Sequence, residues 1–234
     1  MVQLSTTPER RYLVCLRGGE DVKEMSPKSL TASLAAVVLA AGESTRMGTP
    51  KQLLELGGRP MLQHVVDAAV GAGLAPVIVV LGHEAGRVEA ALELARSARA
   101  VVNPEYRSGQ ASSLRAGLDS LGDEVDAAVI LLGDQPDVTP EIIARVVESW
   151  RASGLPIARA CSGGAPGHPV VVDRSEWPAW RRLTGDEGAR RLIARHPERA
   201  VDVDLAHERP SDIDTPADFA RLLSGDRWRP QESP

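Results

Sequence analysis

The chain is poor in residues on which several protein classes depend. Aromatic residues make up 3% of its 234 positions, too few for the stacking platforms that hold single-stranded nucleic acid. The two cysteines, Cys15 and Cys161, lie far apart. They make no CxxC, no zinc spacing and no disulfide framework. The five histidines are scattered and form no HExxH. No apolar run reaches the roughly 18 residues of a membrane span. The stretch from Tyr12 to Leu16 is ended by Arg17, too short for a signal-peptide core. Positive charge is in deficit: 27 Lys and Arg face 32 Asp and Glu, a net charge of −5. That balance argues against a general binder of nucleic acid or anionic membranes. A cytoplasmic protein with neither partner is expected.

What is present is aliphatic. Apolar residues are 43% of the chain, enough for a substantial core of Ala, Val, Leu and Ile. Residues 1–33 mix charges of both signs without periodicity and read as a disordered extension, with Met25 an alternative start of translation. Residues 34–224 read as one domain. Residues 225–234 read as a polar tail.

Within the domain, short apolar runs alternate with helical patterns. Leu34–Leu39, Val77–Leu81, Ala100–Val102 and Ala127–Leu132 read as buried strands. Leu62, Val65, Val66, Ala69 and Val70 follow the spacing of an amphipathic helix, and Val88, Ala91, Leu92 and Ala95 mark another. Ser112–Leu121 is a third. Thr139-Pro140 starts a fourth, with Thr as cap and Pro at the first helical position. Past residue 155 the rhythm loosens. Strands are expected at His168–Val172 and Ala200–Val203, and helices at Ser175–Leu183 and Glu187–Arg195. A capping box at Thr215-Pro216-Ala217-Asp218 starts the last helix. The alternation predicts a doubly wound α/β domain: a mostly parallel sheet with helices on both faces.

The densest chemical signal is the run from Leu39 to Leu54, LAAGESTRMGTPKQLL, directly after the first strand. A Gly-containing loop there can aim backbone N–H groups at an anion, and Arg46 and Lys51 add two cations. The same text also suits an ordinary strand–helix turn with solvated charges. It is neither a dinucleotide fingerprint, since no GxGxxG occurs, nor a Walker A loop. Asp134 follows the Ala127–Leu132 strand, at the sheet edge where α/β proteins bind ligands. A carboxylate there suits Mg²⁺, although an Asp after a strand also serves as a turn residue.

The run LAAGESTRMGTPKQLLELGGRPML resembles the signature of the MobA-like nucleotidyltransferases, LAAGxSxRMGxPKxLL, and within them most resembles the molybdenum cofactor cytidylyltransferases. Further matching segments are GQASSLRAG (109–117), LLGDQPDVTPEII (131–143), GAPGHPVVV (164–172), GDEGARRLI (185–193) and DIDTPADF (212–219). The resemblance covers residues 34 to about 223. It implies a Rossmann-like nucleotidyltransferase fold and transfer of CMP from CTP, with Mg²⁺, to the phosphate of a molybdopterin-type cofactor. A molybdenum hydroxylase is an implied partner.

Carried over, Ala40, Ala41, Gly42, Ser44, Arg46 and Lys51 wrap the triphosphate. Ser112 and Ser113 lie by the base and ribose, with Gln110 standing where relatives commonly carry Met. Alone, either serine would read as a helix cap. Arg46, Lys51 and Asp134 form the catalytic set, and Asp134 with Asp214, preferred over Asp212, holds the metal. His168, Asp186 and Arg190 contact the acceptor, Asp186 also capping the helix after it. Ala40-Ala41, where guanylyltransferase relatives carry glycines, favours CTP over GTP by resemblance. Three alternatives stay open: a cytidylyl- or guanylyltransferase for another phosphorylated small molecule, an oxidoreductase, and a cofactor-delivery protein without transferase activity.

Overall fold

The computed structural model describes residues 31–186, 188–206 and 210–224. The expectations for residues 1–30 and 225–234 lie outside the described residues.

Nine strands and seven α-helices follow one another among the described residues. Strand β1 (Leu34–Ala40) leads through a loop to a small hairpin of β2 (Glu55–Leu56) and β3 (Arg59–Pro60), then α1 (Met61–Gly71). Next come β4 (Val77–Leu81), α2 (Ala85–Ala90), β5 (Ala98–Val102), α3 (Gln110–Asp119), β6 (Ala127–Leu132) and α4 (Pro140–Ser153). The second half has β7 (Ile157–Ser162), β8 (Ala165–Asp173), α5 (Trp177–Trp180), α6 (Gly188–Arg195), β9 (Ala200–Asp204) and α7 (Pro216–Ser224).

The main sheet has the order β5-β4-β1-β6-β8-β7-β9. β8 runs antiparallel to both neighbours, and the remaining pairings are parallel. The sheet is therefore mostly parallel and doubly wound, as the alternation predicts. The order reverses between β1 and β6, so a crevice opens beyond their carboxyl ends.

Side-chain alternation along β1 sends Leu34, Ala36, Val38 and Ala40 to one face, packed with α1 and α4 residues such as Leu62, Val65, Ile143 and Trp150. Ala35 and Val37 go to the other, with Leu114 and Leu118 of α3, Trp177, Trp180 and Ile193. A third small cluster joins Leu56 and Met61 to Ile213 and Leu222, which docks α7 beside the hairpin.

Several elements differ from expectation. β7 was not foreseen, because Arg159 interrupts its apolar run. α2 stops at Ala90, short of Leu92 and Ala95. Gln63 explains this: its side chain accepts from Glu93 N–H at 2.8 Å and donates to Glu93 O at 3.1 Å, taking the backbone groups a longer helix would use. The helix expected at Ser175–Leu183 is a 3₁₀ turn plus the four residues of α5. Thr139 caps α4 by accepting from Ile142 N–H at 3.3 Å. The Thr215–Asp218 capping box closes in both directions, at 2.8 and 3.2 Å.

Candidate active site

The loop after β1 is shaped from within. Ser44 has a left-handed backbone, φ 56°. Its hydroxyl accepts from Lys51 N–H at 3.0 Å and donates to Gln52 Oε1 at 3.3 Å. Gln52 is buried, and its amide donates to Ala40 O at 2.9 Å and Gly42 O at 3.1 Å. The loop is thus tied to the strand it leaves, and Ser44 spends its hydroxyl on that task. Ala41 O accepts from His83 N–H at 3.2 Å. Tyr106 packs tightly below: a Cβ on Gly82 would meet Tyr106 Cβ at 2.6 Å and Ala41 O at 2.7 Å.

Lys51 projects from this loop into the crevice. Its ammonium lies 2.6 Å from Asp134 Oδ2, after β6, and 2.8 Å from Asp214 Oδ1, before α7. Arg46 reaches Asp214 at 3.3 Å. Ile213 N–H donates to Asp134 O at 3.0 Å, which fastens the C-terminal carboxylates to the strand end. The four expected charged residues are therefore one cluster. Asp212, the less favoured candidate, accepts from Gln135 Nε2 at 2.7 Å.

The charges perturb one another. Burial opposes the charge on Lys51, but attraction to Asp134 and hydrogen bonds to both carboxylates outweigh it and raise its pKa. Asp214 is held below its ordinary pKa by the hydrogen bond from Lys51. Asp134 goes the other way: burial pushes its carboxyl up, more than Lys51 pulls it down, and Asp212 and Asp214 add to the push. Its Oδ1 is buried with no hydrogen-bond partner among the described residues. A bare carboxylate oxygen beside a second carboxylate is the donor set a hard cation takes. Mg²⁺ needs only one or two protein carboxylates when phosphates complete its shell. Among the described residues no group of three or more His, Cys, Asp or Glu is arranged to hold a metal unaided.

Two adjoining cavities open beside this cluster; Lys51 and Asp134 line the larger, while Arg46 and Asp214 line neither. The larger, about 650 Å³, is lined by Ala40, Ala41, Gly42, Ser44, Lys51, Ser113 and Asp134. The smaller, about 290 Å³, is lined by Gln135, Arg159, His168, Asp186, Arg190 and Asp212 over an apolar floor that includes Ile130, Trp180 and Ile193. Leu39, Gln110, Leu132 and Asp186 belong to both.

Two expected residues sit differently from their sequence reading. Ser112 is buried, donates to Gly109 O at 2.8 Å inside the first turn of α3, and is not among the lining of either cavity. Asn103 donates to both serine hydroxyls, at 2.8 and 3.0 Å, and so orients Ser113 toward the larger cavity. Neither serine caps α3; its cap position is Gly109. Asp186, expected to cap the helix after it, accepts from Gln110 N–H at 3.1 Å and so serves the start of α3. His168 owes its place to an irregularity between β7 and β8. Arg159 pairs with Val170 and Cys161 with Pro166, so Gly167-His168-Pro169 bulge opposite the single residue Ala160.

Residues 36–200 match the model of the MobA-like NTP transferase domain. The chain belongs to this family. It is a nucleotidyltransferase by that domain. Rv0371c from Mycobacterium tuberculosis H37Rv superposes with a TM-score of 0.75 at 34% identity, covering 83% of this chain and 99% of that one. A structure of Rv0371C complexed with manganese gives 0.70 at 31% identity, covering 82% and 99%. The nicotine blue oxidoreductase of Paenarthrobacter nicotinovorans is 32% identical, over 81% of this chain and 96% of its own length. The bifunctional protein GlmU of Sorangium cellulosum is 42% identical over 133 residues, but the chain spans only 28% of its length. No helix among the described residues is long and apolar enough to cross a membrane.

Sequence reading missed Gln52, Asn103, Gln135 and Arg159. Gln52 and Gln135 sit inside the matched motifs. Arg159 carried no signal, because its strand was not recognised.

Proposed function

We propose that this nucleotidyltransferase moves CMP from CTP to the phosphate of a molybdopterin-type cofactor, releasing pyrophosphate. The observation that carries the transfer reading is the pair of cavities that meet at Leu39, Gln110, Leu132 and Asp186, the larger of them lined by Lys51 and Asp134, which supports adjoining seats for donor and acceptor. The nucleotide takes the larger, with its triphosphate against Gly42, Arg46 and Lys51. The acceptor takes the smaller, beside His168, Asp186 and Arg190.

An acceptor phosphate oxygen attacks the α-phosphorus of CTP in line; the bond to the β-phosphate oxygen breaks and pyrophosphate leaves. That oxygen is already ionised at neutral pH, so no general base is required. What the chain must supply is alignment and positive charge against the phosphates. Lys51, held charged by its neighbours, supplies the charge. Asp134 and Asp214 would hold Mg²⁺, which when bound offsets phosphate charge as a Lewis acid. With Asp134 and Asp214 engaged in that way, the Lys51 ammonium would be free to face phosphate.

Pyrophosphate release, assayed with CTP, GTP, ATP and UTP in parallel and with purified molybdopterin cofactor as acceptor, tests this reading. Release only with CTP and cofactor together is expected. Preference for GTP would make it a guanylyltransferase, and release from CTP with another phosphorylated small molecule but not with the cofactor would overturn the acceptor. The similarity to nicotine blue oxidoreductase favours one second reading, reduction of an acceptor by NAD(P)H. Against it, the sequence has no GxGxxG fingerprint. NAD(P)H oxidation without pyrophosphate release would select it.

A further inference from the structure

Arg159 is out of keeping with its strand. β7 lies between β8 and β9, and its neighbours Ala158 and Ala160 are fully buried. Arg159 points to the opposite face from these alanines, toward the α5–α6 side, where it lines the smaller cavity. Its side chain is only 15% exposed. An arginine placed there must be paired, and it is: Nε donates to Asp202 Oδ1 at 2.5 Å and the Nη2 amino group to Asp202 Oδ2 at 3.3 Å. Asp202 is its register partner on β9. The pair occupies one edge of the guanidinium fork. The other amino group, Nη1, has no partner among the described residues, although a guanidinium carries five donors in fixed directions.

A cross-strand tether needs only the edge that Asp202 takes. The rest of the group borders a cavity whose floor is apolar and whose polar rim includes His168, Asp186, Arg190 and Gln135. A carboxylate that locks a guanidinium from behind fixes the direction of its remaining donors before any ligand arrives, which lowers the ordering cost of binding. Arg159 lines only the smaller cavity, away from the four residues that both cavities share. Its reach is therefore to the body of the acceptor and not to the CTP triphosphate.

We propose that Arg159 is a specificity-determining residue for the acceptor, donating from its free amino group to an oxygen on the acceptor distinct from the reacting phosphate. The acceptor class is thus a phosphomonoester whose body carries a carbonyl or oxyanion oxygen within the smaller cavity. This rests on the transferase reading above, and Asp202 is a positioning residue that acts through Arg159.

The test compares two substitutions that break the same ion pair. Arg159→Met removes tether and donor; Asp202→Asn removes the charge of the tether and keeps the donor. Both are measured in the full chain for thermal unfolding, for acceptor and CTP KM, and for binding of molybdopterin cofactor without nucleotide, read by tryptophan fluorescence quenching. Arg159→Met is expected to raise the acceptor KM and the cofactor Kd at least tenfold and to leave the CTP KM within twofold. Asp202→Asn is expected to raise them two- to threefold, and Arg159→Lys to recover part of the loss. Equal effects of Arg159→Met and Asp202→Asn, or no effect of Arg159→Met, would make the residue a tether only and overturn the proposal, with the transferase reading intact. If wild type binds the cofactor but transfers nothing, the transferase reading fails while the ratio of dissociation constants still decides Arg159. A wild type that neither binds nor transfers overturns both.

Discussion

Lys51 Nζ sits 2.6 Å from Asp134 Oδ2, across 83 residues of sequence, with the two side chains only 14% and 21% exposed. The pair joins the loop after β1 to the end of β6, at the point where the sheet order reverses. Its two members respond oppositely to their surroundings: Lys51 is held charged, and Asp134 is pushed toward its neutral form.

Replacing Lys51 by Met removes the cation proposed to face the phosphates and leaves two carboxylates facing each other. Transfer should fall at least 100-fold, in line with losses for single electrostatic stabilisers. Unfolding should be easier by about 1–3 kcal/mol at pH 7, the scale of lost hydrogen bonds to a charged group. The stability deficit should shrink on acidification as the orphaned carboxylates take up protons. A variant that keeps near-normal rates would remove Lys51 from the chemistry.

Asp134→Asn should separate function from stability. A carboxyl whose folded pKa is raised destabilises the fold while it is charged. That penalty is present at neutral pH and is relieved as pH falls through the folded value, disappearing below the unfolded value of about 3.9. The neutral variant should therefore melt no lower than wild type at pH 7, and at the same temperature below pH 4, while Mg²⁺-dependent activity is lost. The raised pKa also means that wild-type metal affinity should fall on acidification at a higher pH than for an ordinary carboxylate pair. A melting temperature several degrees below wild type at pH 7 would contradict the burial argument.

Two glycines should behave oppositely. A Cβ on Gly42 would meet nothing within 4 Å, because it points into open space, and Gly42 lines the larger cavity. Gly42→Ala should leave stability within about 0.5 kcal/mol and raise the CTP KM tenfold or more. Gly109 has φ +108° and its Cβ would lie 2.3 Å from the Gly185 carbonyl carbon. Gly109→Ala should cost about 2–4 kcal/mol in denaturant unfolding, from backbone strain and overpacking together. If Gly42→Ala binds CTP normally, the triphosphate does not approach that backbone.

Gln52→Ala leaves Ala40 O and Gly42 O without their donor. A loss of about 1–3 kcal/mol follows from the unsatisfied buried groups. The CTP KM should rise with little change in the acceptor KM, since Gln52 lines only the larger cavity, the proposed nucleotide seat. Equal changes in both constants would point to general loosening of the fold.

Much of the architecture was legible because it is local. Apolar runs of strand length, helical spacing and caps such as Thr139 depend on residues within a few positions of one another, and they recur in the structure. The matched motifs likewise announced Lys51, Asp134 and Asp214 one by one. The errors came where a distant group intervened. Gln63 ends α2 by capturing Glu93, a contact between side chain and backbone 30 residues apart.

The sequence by itself determined the alternating α/β pattern, the glycine-containing, cationic make-up of the first loop and the identity of the charged residues. Only the tertiary structure decided that Lys51 lies between Asp134 and Asp214, that Ser112 faces inward while Ser113 lines a cavity, and that Arg159 borders the second chamber. The physical reason is the same in each case. Pattern and propensity are set by neighbours along the chain, whereas pairing of charges, burial and pKa depend on which strand ends the fold brings side by side.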